Sequence, residues 1–242
     1  HLNSVVKLDP DMQKVCVEPG IVLDHLNHRL APHGLMFPVD VSTAAQATIG
    51  GMTGNNSCGA RSVRYGTMRD NVRAITGILA DGQRRRFDTL EEGAPRDGLE
   101  EELLAIGVSE AEEISRRFPK VQRRVGGYNI DALTLSDKTE GINLAHLLVG
   151  SEGTLAFSEA IELQLVKVPK HKVLGVCHFP KFYAAMEASQ HLVTLGPCAV
   201  ELVDQTMIDL SRENSVFRPV IERCVKGEPE ALLLVEFAGE SH

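Results

Sequence analysis

The sequence predicts an α+β fold in two parts. Short β-branched runs open the chain and recur near residues 72 and 155, while helical spacing between them is confined to brief stretches. Past Pro169 the order changes to β-α-β-α-α-β, an arrangement of one sheet layered with helices, which places a boundary between residues 1–168 and 169–242. With 242 residues, 43% hydrophobic and 24% charged, the chain has ordinary globular composition and enough length for a core, which sets aside disorder, collagen-like repeats and a coiled-coil rod.

Each element has a local reason. Val5-Val6-Lys7-Leu8 and Lys14-Val15-Cys16-Val17-Glu18 flank Asp9-Pro10-Asp11 and form a hairpin. Val22, Leu23, Leu26 and Leu30 recur at helical spacing until Pro32 and Gly34 end the pattern. Residues 38–69 lose all periodicity and are dense in Gly, Ser, Thr and Asn, as an ordered binding loop would be. Residues 72–79 resume as a strand, and Asp81-Gly82 turns it into a return strand over 83–87. Residues 89–102 read as a loop leading into a short helix. Ser109-Glu110-Ala111-Glu112 has capping-box spacing for a helix that Phe118-Pro119 stops. Residues 145–149 and 155–168 are apolar strands around Gly150-Ser151-Glu152-Gly153-Thr154. Beyond Pro169 come a strand at 173–179, a helix over 181–195 stopped by Gly196-Pro197, and a strand at 199–203. Asp204 then caps the first of two helices, at 205–213 and 216–226, before a buried strand at 231–237. The missing initiator Met, and a final strand followed by only a few residues, point to a chain cut from something longer.

Charge and cysteines narrow the function. The 25 basic and 33 acidic side chains give a net charge of -8, which repels phosphate backbones and anionic membranes, so no nucleic-acid partner is expected. Arg84-Arg85-Arg86 reads as a solvated strand end. Cys16, Cys58, Cys177, Cys198 and Cys224 form no C-x-x-C pair and read as reduced thiols. No apolar run approaches the roughly 18 residues of a membrane span, and no signal peptide opens the chain, so a cytoplasmic protein that is not integral to a membrane is expected. His25 and His28 have zinc-compatible helical spacing but lack acidic or cysteine ligands at a suitable offset, so no metal site is assigned.

The chemistry concentrates in Pro38-Val39-Asp40-Val41-Ser42-Thr43 and in Ala47-Thr48-Ile49-Gly50-Gly51-Met52-Thr53-Gly54-Asn55-Asn56-Ser57-Cys58-Gly59. Glycines at 50, 51, 54 and 59 let main-chain N–H groups crowd around an anion, and Thr48, Thr53, Asn56 and Ser57 add neutral partners, a combination suited to a pyrophosphate. No Gly-Lys-Ser/Thr closes a P-loop, and no G-x-G-x-x-G opens a helix after a strand. Glycine content alone leaves equally open a tight loop packed on a neighbouring sheet.

Taken with Arg64-Tyr65-Gly66, Leu79-Ala80-Asp81-Gly82, Gly127-Tyr128 and Gly150-Ser151-Glu152-Gly153-Thr154-Leu155, these blocks match in order and resemble the FAD-linked oxidases of the vanillyl-alcohol oxidase (PCMH-type) superfamily, in the glycolate oxidase, D-lactate dehydrogenase and D-2-hydroxyglutarate dehydrogenase branch. The resemblance implies FAD as cofactor. It also implies the second FAD-binding subdomain of the PCMH-type fold over residues 1–168, with the N-terminal subdomain missing, and the start of an α+β, ferredoxin-like cap domain over 169–242. Pro38 and Asp40 would line the flavin. Thr48, Ile49, Gly50 and Gly51 would approach the pyrophosphate and ribityl chain, and Asn56, Ser57, Gly59, Tyr65 and Gly66 would shape the adjoining turn. Gly153 and Thr154 would close the adenine or ribose side. Arg124 is a candidate for holding a substrate carboxylate, weighed against a salt bridge on the surface.

The resemblance further implies oxidation of a small 2-hydroxy acid such as D-lactate, glycolate or D-2-hydroxyglutarate, by hydride transfer to flavin N5. Electrons would pass to an unnamed acceptor such as an iron–sulfur domain or subunit. The general base and any metal ligands of such proteins would lie outside these residues, so no catalytic residue is assigned and the stretch alone is expected to be inactive. The competing reading is a non-catalytic nucleotide-binding scaffold. Cys58 is expected as a small buried thiol rather than a covalent flavin attachment.

Overall fold

The computed structural model describes residues 2–91, 93–134 and 141–240. The chain divides into two compact units. The first comprises residues up to Gly59 together with Gly66–Val168, and the second comprises Ala60–Tyr65 and the chain from Pro169 onward.

In the first unit a five-stranded antiparallel sheet has the order β1-β2-β6-β4-β5. Its hairpins are β1 (Val5–Asp9) with β2 (Lys14–Val17), and β4 (Val72–Ile78) with β5 (Arg84–Phe87). The short β3 (Leu35–Met36) pairs outside this sheet with β7 (Val166–Lys167), while β6 (Phe157–Gln164) joins the two hairpins at the centre. Alternation along β6 buries Ile161 and Leu163 and leaves Glu162 to the wetter face, while Glu159 falls at a register shift between Ala160 and Ser158. Arg84 meets Glu159 at 2.5 Å and Arg86 meets Glu162 at 3.3 Å, so the basic run on β5 is an edge strand whose charges are paired within the protein.

Among the described residues six α-helices complete this unit: α1 (Leu23–Leu30), α2 (Ile49–Gly54), α4 (Met68–Asn71), α5 (Gly98–Ser109), α6 (Ala111–Arg117) and α7 (Ala145–Leu148), while α3 (Ser62–Tyr65) belongs to the second unit. Leu26, Ile49, Ile75, Ile161 and Leu163 are fully buried in one continuous core.

Three local expectations are corrected. The strand expected at 145–149 is instead α7 over 145–148, because the Asn143 side chain accepts from the Ala145 amide at 2.9 Å and starts a helical turn that a short apolar run cannot announce by periodicity. The capping box lies earlier than Ser109. Asp97 accepts from the Glu100 amide at 3.0 Å and Glu100 accepts from the Asp97 amide at 3.3 Å, starting the twelve-residue α5. The aperiodic stretch 38–69 is not all loop, since α2 and α3 lie in it and α4 begins in it.

The second unit contains a three-stranded antiparallel sheet, β8 (His171–Phe179), β10 (Ala231–Gly239) and β9 (Ala199–Asp204), in the order β8-β10-β9. Ala231, Leu233 and Val235 pack with Ala185 of α8 (Phe182–Leu192). Leu232, on the opposite face of β10 by strand alternation, packs with Ile208 of α9 (Gln205–Glu213) and Ile221 of α10 (Arg218–Cys224). Asp204 caps α9 by accepting from the Met207 amide at 2.8 Å.

Candidate functional site

Helix α2 forms despite three glycines in six residues, each costing about 1 kcal/mol relative to alanine. Burial of Ile49 and Met52, and Thr48 Oγ1 accepting from the Gly51 amide at 3.2 Å, outweigh that preference. The amide of Ile49 donates to Ile21 O at 2.8 Å and that of Gly50 to Pro19 O at 2.7 Å. The sequence places main-chain N–H groups of the glycines at 50, 51, 54 and 59 around an anion; in the structure the amides of Ile49, Gly50 and Gly51 already have protein acceptors. Glycine at 50 serves close packing, since a Cβ there would lie 2.6 Å from Pro19 Cβ.

The chain then turns through Asn56, which holds the left-handed region at φ 48° and is buried. Gly59 lies hard against the preceding loop, where a Cβ would sit 1.7 Å from the Asp40 carbonyl oxygen. Pro38 is buried and Asp40 half-buried in that loop. At Gly66, φ is 74° and a Cβ would meet Asp70 Oδ2 at 2.4 Å; Asp70 in turn accepts from the Thr67 amide at 2.7 Å to start α4. Tyr65 belongs to the second unit, where the Arg64 guanidinium carbon lies 5.6 Å from its ring centre.

The loop after α7 closes directly on the end of α2. Gly150 donates its amide to Thr53 O at 2.9 Å and Glu152 donates to Gly54 O at 3.1 Å. Gly150, Glu152 and Gly153 all have positive φ, at 83°, 51° and 75°. The Thr154 hydroxyl donates to Ser151 O at 2.6 Å and meets the Tyr128 hydroxyl at 2.8 Å. Gly51, Gly153 and Thr154 are exposed, with Ile49, Thr53 and Asn56 buried. A Cβ at Gly153 would meet nothing within 4 Å, and among the described residues the backbone bonds of these turns leave the amides of Cys58 and Gly153 unused. Open main-chain donors beside neutral hydroxyls fit an anionic dinucleotide without requiring a cationic side chain. Ile49 and Asn56 fit as its scaffold, their side chains being turned into the protein.

Two buried asparagines knit these loops together. Asn56 Oδ1 accepts from the Arg69 amide at 3.0 Å, and its Nδ2 donates to Arg124 O at 3.4 Å. Asn129 Nδ2 donates to Val149 O at 2.7 Å, immediately before Gly150. The Arg124 guanidinium, a candidate for a substrate carboxylate, instead meets the protein's own Asp131 at 2.6 Å and lies 4.6 Å from the Phe118 ring centre. With only 16% of the Arg124 side chain exposed, the pair is largely buried and not the surface bridge weighed from sequence. Burial pushes the Asp131 carboxyl up, but hydrogen bonding and charge from Arg69, then from Arg124, outweigh burial and hold it below its ordinary value. Sequence reasoning missed Arg69 and Asp131, which are 62 residues apart and belong to no periodic pattern. Asn129 adjoined a quoted block, and its burial was the missing signal.

Comparison with known proteins agrees with this geometry. Residues 1–88 match the FAD binding domain and residues 168–242 match the C-terminal domain of FAD linked oxidases. A D-2-hydroxyglutarate dehydrogenase from Haemophilus influenzae is 28% identical across 100% of this chain and 25% of its own length, and one from Pseudomonas putida is 31% identical across 99% and 25%. A probable mitochondrial D-lactate dehydrogenase from Danio rerio is 32% identical across 86% of this chain and 34% of its own length. This chain thus spans about a quarter of the curated D-2-hydroxyglutarate dehydrogenases it matches. A solved alkyldihydroxyacetonephosphate synthase shares the fold with a TM-score of 0.65 at 18% identity, over 98% of this chain and 37% of that one. Among the described residues no helix is long and apolar enough to cross a membrane. With an FAD binding domain at one end and a C-terminal FAD-linked oxidase domain at the other, the chain belongs to the FAD-linked oxidases.

Proposed function

We propose that this chain is the part of a D-2-hydroxy acid dehydrogenase that holds one side of FAD, in a protein that oxidises a substrate such as D-2-hydroxyglutarate or D-lactate. The observation that carries the reading is the junction of the α2 turn with the 150–154 loop through Gly150–Thr53 and Glu152–Gly54 bonds. FAD, when bound, supplies the two-electron acceptor for the substrate α-hydrogen. The chain's own residues bind and orient. Gly153 and Cys58 offer main-chain N–H groups, and Gly51, Ser57 and Thr154 give a small, uncharged surface on which a dinucleotide can lie close to the backbone. Pro38, Asp40 and Gly59 form the packed loop beside it, and Thr48, Ile49, Gly50, Asn56 and Gly66 fix its shape. Arg124, committed to Asp131, is assigned no substrate role.

In this reading residues 1–168 are the second FAD-binding subdomain and 169–242 begin the cap. The protein works in the cytoplasm and passes electrons to a separate acceptor such as an iron–sulfur domain. The test uses the protein expressed from its whole gene. It should carry flavin absorbance that bleaches anaerobically on adding D-2-hydroxyglutarate or D-lactate. A colourless protein, or a bound flavin inert to both acids, would favour the non-catalytic scaffold.

A further inference from the structure

Asn129 Oδ1 accepts from the guanidinium groups of Arg69 and Arg124, both at 3.3 Å, and its Nδ2 faces Val149 O at 2.7 Å and His146 O at 3.3 Å. A flipped amide would set its NH2 against two cations and its oxygen against two carbonyls, so the two arginines dictate which way Asn129 points. One carboxylate holds both arginines: Asp131 Oδ2 meets Arg69 at 2.8 Å and Oδ1 meets Arg124 at 2.6 Å. Asn129 in turn restrains the chain just before Gly150. There is little slack at that point, because a Cβ on Gly150 would lie 3.3 Å from Gly127 O and 3.4 Å from Asn56 Cβ.

Resting on the flavin reading above, we infer that Asp131 is a positioning residue for the cofactor: by fixing Arg69 and Arg124 it orients Asn129, which sets the 150–154 loop against the end of α2. Asp131 acts on that loop through the asparagine.

Hydrogen exchange and flavin affinity test this in the protein expressed from its whole gene, using Asp131→Asn, Asn129→Asp and Asp131→Glu. Asn129→Asp keeps an acceptor for the arginines but removes the donor to Val149. The Gly150 and Glu152 amides should exchange at least tenfold faster in Asp131→Asn and Asn129→Asp, while β6 and β10 amides keep their protection. FAD should bind at least tenfold more weakly, with a changed visible circular dichroism of the residual bound flavin, and Asp131→Glu should recover part of both effects. Unchanged exchange at Gly150 and Glu152 in folded Asp131→Asn would overturn the inference, as would equal acceleration throughout β6. If Asp131→Asn does not fold, Asn129→Asp decides on the same readouts. Faster loop exchange with unaltered FAD affinity would overturn the cofactor role while leaving the flavin reading intact; a wild-type protein that binds no FAD would sink that reading and the inference together.

Discussion

Asn56 and Asn129 share the same two partners. Arg69 donates its amide to Asn56 and its guanidinium to Asn129; Arg124 accepts from Asn56 through its carbonyl and donates to Asn129 through its guanidinium. Both asparagines are 1% exposed, so each side-chain amide must be satisfied inside the protein. Buried networks of this kind are costly to half-dismantle, because the partner left behind has no water to turn to.

Asn56→Ala is therefore expected to destabilise the first unit on two counts. An unsatisfied buried partner costs about 1–3 kcal/mol, and alanine in the left-handed region costs about 1–2 kcal/mol. Asn56→Gly should recover the second contribution only. Urea denaturation of the three proteins would measure this, and equal stability of the Ala and Gly variants would contradict the conformational part.

Glycines 59 and 153 should behave differently on substitution by alanine. At Gly59 a Cβ would overlap the Asp40 carbonyl at 1.7 Å, so the main chain must move. At Gly153 nothing lies within 4 Å, and only the positive φ of 75° opposes the change, at about 1–2 kcal/mol. Thermal melts should show Gly59→Ala as the more damaging change. The reverse order would mean that the 38–40 loop is not packed on Gly59.

Acid stability should depend on Asp131. Its folded carboxyl is depressed, so its contribution is fully present above the ordinary value of 3.8 and is lost as pH falls from there through the folded value. Denaturation midpoints measured from neutral pH downward should fall through this window in the wild type, and this part of the acid limb should be flatter in Asp131→Asn. Parallel curves would show that the carboxylate is not depressed by Arg69 and Arg124.

The start of α5 supplies a further check. Asp97→Ala removes a side-chain cap and should cost about 1 kcal/mol, whereas Ser109→Ala should stay within roughly 0.5 kcal/mol of wild type. Equal costs would restore the capping box to Ser109.

Much of the fold was legible because its signals are local. The hairpins at 5–17 and 72–87, the Asp204 cap and the element order after Pro169 rest on turn residues, caps and short-range periodicity. Residues 145–149 were misread because five apolar residues suit a strand or one helical turn equally, and a side chain outside the run, Asn143, decided between them. At the site, the blocks around Thr53 and Gly150 were visible as glycine-rich motifs, and the structure joins them. The state of the amides was not visible, since the acceptors for Ile49 and Gly50 are carbonyls of residues 21 and 19, which no motif contains. The Arg69–Asp131–Arg124 cluster was hidden for a similar reason: charge pairing across 62 residues leaves no trace in composition or spacing.

Nitrogen–proton correlation spectra recorded while FAD is titrated into the chain test the central claim most directly, because they register even weak binding. The amide signals of Cys58 and Gly153 should move together along one binding curve, with Gly51 and Thr154 beside them. Shifts confined to one of the two loops would contradict a shared flavin surface.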